Sequence, residues 1–73
     1  MRIAPRHTAA LKALGVLQFS TGDAERGLAT LKRATECTPN DAEAWSNYGN
    51  ALRAVDRHSE SALACARAVE LDP

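Results

Sequence analysis

A chain of 73 residues makes one small domain at most, near the length where one core barely offsets backbone ordering, roughly 1–2 kcal/mol per residue. Nine Lys plus Arg balance nine Asp plus Glu, and this zero net charge argues against a nucleic-acid or anionic-membrane surface. The apolar residues are mostly Ala and Leu, with three aromatics and few β-branched residues, which favours helices over strands.

No apolar run approaches the roughly 20 residues needed to span a bilayer, and Met1–Pro5 contains no secretory apolar stretch. Cys37 and Cys65 match no CxxC or zinc-ligand spacing and read as two reduced, largely packed thiols. A cytoplasmic setting is expected, with no cofactor and no metal site.

The three prolines, Pro5, Pro39 and Pro73, stand at equal gaps of 34 residues. A fixed period of this size is the signature of stacked repeats. At that offset Ala10 meets Ala44, Gly15 meets Gly49, and Arg33, Ala34 and Glu36 meet Arg67, Ala68 and Glu70. Residue kinds match as well: Leu11 with Trp45, Leu14 with Tyr48, Leu31 with Cys65, and the small pair Gly27 with Ser61.

Taken in chain order, Ile3-Ala4-Pro5 reads as the tail of a preceding second helix, so residues 1–7 are a tail or N-terminal extension. The first repeat covers 8–41 and the second 42–73. Helix one is expected over Thr8 to Thr21, with Leu11, Leu14, Gly15 and Gln18 facing inward at helical spacing. Gly22 can end it in the left-handed conformation and Asp23 can cap the next. Helix two, about Ala24 to Cys37, carries Gly27, Leu28, Leu31 and Ala34 inward, and Pro39 prevents its extension. Asn40 and Glu43 suggest a capping box for helix three, about Asp41 to Val55. Helix four runs from about Arg57 to Leu71, after a turn with Asp56 in the place of Gly22. Small residues such as Gly15, Gly27, Gly49 and Ser61 let facing helices approach closely.

The spaced set Trp45-x-x-Tyr48-Gly49-x-x-Leu52, then Ser61, Cys65, Ala68 and Pro73, resembles the tetratricopeptide repeat. Leu11, Leu14, Gly15, Gln18, Gly22, Gly27, Leu31, Ala34 and Pro39 carry the same resemblance in the first unit. Gln18, Cys65 and Asp56 depart from the family pattern. The resemblance implies an all-α fold, antiparallel helical hairpins stacked as an α-solenoid of two repeats and four helices. It also implies a segment of a longer array. Such arrays normally need about three repeats and polar caps. Ala62, Leu63, Ala66 and Val69 are expected to leave an apolar edge, giving a weakly stable monomer or self-association through the end helices.

In this family the first helices of successive repeats line a concave groove. By helical phase that face carries Lys12, Val16 and Phe19 on the first helix and Glu43, Ser46, Asn47, Asn50 and Arg53 on the third, with Ala9, Ala13, Ser20 and Ala54 among them. Exposed Asn amides can pair with an extended peptide backbone, Lys12 and Arg53 can meet carboxylates, and Phe19 can receive an apolar side chain. The expected function is a protein-interaction scaffold holding a peptide or partner segment there. The alternative is a non-catalytic recognition arm of a larger enzyme such as a glycosyltransferase.

Two family uses can be tested by residue. Some tetratricopeptide domains clamp acidic chaperone tails; Lys12 and Asn47 match that set, but Val16 replaces an asparagine and a third repeat is missing. Ala13 breaks the asparagine ladder of repeats that precede sugar transferases. No catalytic site is expected: His7 and His58 join no constellation, and no phosphate loop is present. A helix-turn-helix DNA reader is disfavoured because Arg26, Lys32 and Arg33 are offset by Glu25 and Glu36.

Overall fold

The computed structural model describes residues 5–72, with side chains described from residue 7 onward. Four helices follow in order: α1 Pro5–Ser20, α2 Ala24–Cys37, α3 Ala42–Ala54 and α4 His58–Leu71. No strand occurs among the described residues. Ile3, Ala4 and Pro73 lie outside them. Pro5 itself opens α1, where a missing N–H costs nothing because first-turn donors have no helical partner. The helix therefore begins three residues before Thr8, and Pro5 belongs to it.

Helix α1 packs along α2 and α3 along α4, making two antiparallel hairpins. Helix α2 joins them by packing on α3, and α1 also touches α3. The buried core is Leu28, Leu31, Ala51, Leu52 and Ala64, with Phe19, Trp45, Tyr48 and Val55 partly buried against it. Each fully covered leucine contributes about 1.5–3 kcal/mol by leaving water. Leu14 shares the helical phase of Leu11 yet remains 45% exposed, which corrects its expected inward placement.

The two hairpins cross differently. A Cβ on Gly27 would lie 2.9 Å from the Gly15 carbonyl oxygen and 2.9 Å from the Phe19 nitrogen, both rigid backbone atoms. Only glycine fits there. Ser61 holds the equivalent position in the second hairpin, and its buried hydroxyl donates to the Gly49 carbonyl at 2.8 Å.

The turns also differ. Gly22 has φ +93° and Asp56 has φ +65°, so both bends need the left-handed region that glycine enters without strain. Asp23 caps α2 by accepting from the Arg26 amide at 3.4 Å, whereas Arg57 gives α4 no side-chain cap. At the start of α3 the cap is Asp41, not Asn40. Its carboxylate accepts from the amides of Glu43 at 3.0 Å and Ala44 at 3.4 Å. The expected capping box is absent because the Glu43 side chain reaches across to α1 instead.

Polar pairs tie the helices together. The buried Thr8 hydroxyl hydrogen-bonds that of Thr38 at the end of α2. Thr30 donates to the Gln18 side-chain oxygen at 2.6 Å, so the polar residue at a large-apolar position is satisfied inside the first hairpin. The Trp45 indole donates to the Pro39 carbonyl at 2.8 Å, fixing the link between hairpins.

Candidate partner-binding groove

Helices α1 and α3 lie side by side on one face, and the helical phase of each sends a mixed set of side chains between them. A cavity of about 270 Å³ opens there, lined by Val16, Phe19, Ser20, Leu31, Asn47, Asn50 and Ala51. Leu31 rises from α2 as part of the apolar lining and is almost wholly buried, while Val16 stays 46% exposed. Beside it a shallower depression of about 690 Å³ runs along Ala9, Lys12, Ala13, Val16, Leu17, Ser20, Glu43 and Asn47. Val16, Ser20 and Asn47 border both, so the two hollows form one continuous trough.

The trough is apolar along α1 and amide-bearing along α3. Half-buried Phe19 packs against the core, and its backbone is held by the close approach of Gly27. Asn47 and Asn50 stand one turn apart on α3 at the trough's edge. Arg53 Nη2 donates to Asn50 Oδ1 at 3.4 Å, which orients that amide, but Arg53 itself projects into solvent and lines neither hollow.

Lys12 behaves differently from its expected role. Its ammonium lies 2.8 Å from Asp41 and 2.9 Å from Glu43, with the Lys12 and Asp41 side chains largely covered. Hydrogen bonds first to Asp41 and then to Glu43 raise its pKa above 10.5 against the opposing effect of burial. Burial pushes Asp41 upward, but its hydrogen bonds from Lys12 and the Ala44 amide outweigh that, with a net fall below 3.8. The lysine charge is thus engaged within the chain, where it clamps α1 to the start of α3. A carboxylate clamp through Lys12 would have to displace two resident carboxylates.

Ser46 borders a separate hollow of about 360 Å³ with Ala42, Glu43, Ala68, Val69 and Asp72. The structure therefore brings Val16, Phe19, Asn47 and Asn50 together, and sets Ser46 and Arg53 apart from them. Sequence reading missed Leu31 and Ala51 as parts of the lining. Leu31 is legible as a buried position from helical phase, but only the crossing of α2 under α1 and α3 brings its edge, with that of Ala51, to the trough. Among the described residues no cluster of His, Cys, Asp and Glu has the makings of a metal site. No helix of the described residues is long and apolar enough to cross a membrane.

No curated protein is significantly similar to the chain. The family model of the tetratricopeptide repeat matches twice, over residues 1–42 and residues 12–73. The two matches overlap and together take in every residue, and each contains a helical hairpin described above. On that agreement of sequence and fold, the chain belongs to the tetratricopeptide repeat family.

Proposed function

We propose that the chain is a protein-interaction module that holds an extended peptide segment in the trough between α1 and α3. Repeats of this family generally mediate protein–protein interaction and are typically non-catalytic scaffolds. The observation that carries the reading is the pairing of an apolar cavity, bordered by Val16, Phe19, Leu31 and Ala51, with the Asn47 and Asn50 amides at its edge. Carboxamides donate and accept together, so they match a peptide backbone whatever its sequence, while the cavity selects one apolar side chain. A volume near 270 Å³ suits a leucine- or phenylalanine-sized group rather than a cofactor.

The ligand is a segment carrying a single large apolar residue between backbone positions free to hydrogen-bond. Acidic residues are not selected on the α1 side, because Lys12 is already paired. A random-peptide display selection on the chain tests this. Enriched peptides share one apolar anchor, and their affinity falls about tenfold or more with Val16→Asp and with Asn47→Ala, each lost anchor or amide being worth roughly 1.4 kcal/mol or more. Peptides that bind both variants as tightly as the unaltered chain would overturn the reading.

A further inference from the structure

The junction between the two hairpins shows how one repeat covers the next, and the 34-residue offset carries that junction onto both ends of the chain. Inside the molecule, Leu28 and Leu31 of α2 supply the bulk and Ala51 of α3 is the small residue that meets them in the core. Shifted by 34 residues, Leu28 and Leu31 become Ala62 and Cys65 on α4. Shifted back by the same amount, Ala51 becomes Leu17 on α1. The large and small partners have changed sides. The large residue on α1 partly refills the space that the small residues leave on α4, one leucine standing where the internal junction has two.

Exposure follows the same map. Leu17 is 60% exposed on α1, and Leu63 and Val69 are 74% and 62% exposed on α4. The counterparts of Leu17 and Val69 at the internal junction, Ala51 and Thr35, are both buried, whereas that of Leu63, Ala29, is exposed, so Leu63 lies beside the copied contact. The hollow bordered by Ala42, Ser46, Ala68 and Val69 repeats, in open form, the place of buried Thr8, Ala34 and Thr35 together with largely covered Lys12. At the internal junction Lys12 meets the start of α3 through its ion pairs with the N-cap Asp41 and with Glu43.

We infer that the occupant of this α4 face is the α1 face of a second copy of the chain, docked head to tail as α3 docks on the first hairpin. The contact is heterologous, so a copy joined at one end keeps its other end open and chains of copies can grow. Only the first turn of α1, Pro5–His7, has no helical counterpart in α3, and no docking contact is assigned to it. The copied junction lacks the internal ion pairs, because Ser46 replaces Lys12 while His7 and Ala9 replace Asp41 and Glu43. Association is therefore driven by apolar burial and changes little with salt.

Sedimentation equilibrium of the full chain without peptide tests this, so the fate of the concave-face reading leaves the result untouched. The unaltered 7.8 kDa chain is expected to gain mass with concentration, similarly in low and high salt. Leu17→Glu blocks only the α1 end and Val69→Glu only the α4 end, so each variant alone stays at 7.8 kDa. Mixed in equal amounts, the two form a capped pair of twice that mass, which also shows that both have folded. A chain that stays monomeric up to about 1 mM, where even weak docking of about −4 kcal/mol is half-populated, would overturn the inference. So would a mixture that stays monomeric, or either variant pairing with itself, since that marks a symmetric contact.

Discussion

The Ser61 hydroxyl donates to the Gly49 carbonyl at 2.8 Å, at the level where Gly27 presses against the Gly15 carbonyl in the first hairpin. One crossing is closed by bare backbone contact and the other by a buried hydrogen bond. Ser61→Ala removes that bond but leaves a carbonyl that the helix ladder also satisfies, so the expected cost is about 0.5–1.5 kcal/mol. Gly27→Ala forces a methyl against rigid backbone and costs about 1–3 kcal/mol, more if α1 and α2 must separate. Urea unfolding of the two variants should rank them in that order.

The turns make a second prediction. Asp56 occupies the left-handed region that Gly22 occupies in the first repeat, and Arg57 stands where Asp23 caps α2. Asp56→Gly relieves backbone strain and raises stability by about 0.5–1 kcal/mol, part of the gain being offset by a freer unfolded chain. Arg57→Asp supplies the missing cap on α4, worth about 1 kcal/mol. Gly22→Ala acts in the opposite direction by about 1 kcal/mol or more. Midpoints of thermal unfolding report all three signs.

The clamp of Lys12 on Asp41 gives stability a defined pH window. Asp41 titrates below its ordinary 3.8 in the folded chain, so its contribution is present above 3.8 and is lost as pH falls through the lower folded value. Lys12 titrates above 10.5, so its contribution is present below 10.5 and is lost as pH rises through the higher folded value. Asp41→Asn keeps an acceptor for the cap while removing the charge, and is expected to cost about 0.5–1 kcal/mol near neutral pH. Chemical unfolding from pH 2 to 7 should show a shallower acid loss for this variant than for the unaltered chain, by roughly that amount.

Much of this architecture can be read from spacing, and the exceptions have physical reasons. The offset that pairs Gly15 with Gly49 and Gly27 with Ser61 locates all four helices, because helix crossings admit only small residues. Leu14 is misplaced by phase because helical phase separates one face from its opposite and does not resolve the buried middle of that face from its exposed flank. The cap fell to Asp41 rather than Asn40 because adjacent residues of similar capping propensity differ only in where Ala42 begins the helix. The Lys12 clamp spans about 30 residues of sequence and depends on how α1 and α3 cross. No local pattern encodes it. The same holds for the Thr8–Thr38 pair and for the Trp45 bond to Pro39. In the groove, Val16, Phe19, Asn47 and Asn50 followed from phase alone, whereas Leu31 and Ala51 needed the packing of three helices.

The most direct test of the peptide-groove account is a ¹H–¹⁵N and methyl NMR titration of the chain with a peptide selected by display. The side-chain amides of Asn47 and Asn50 and the methyls of Val16 and Leu31 are expected to shift together and saturate on one isotherm. The exposed methyls of Leu63 should stay in place. Shifts confined to α2 and α4, with the Asn47 amide and Val16 methyls unmoved at saturation, would contradict it.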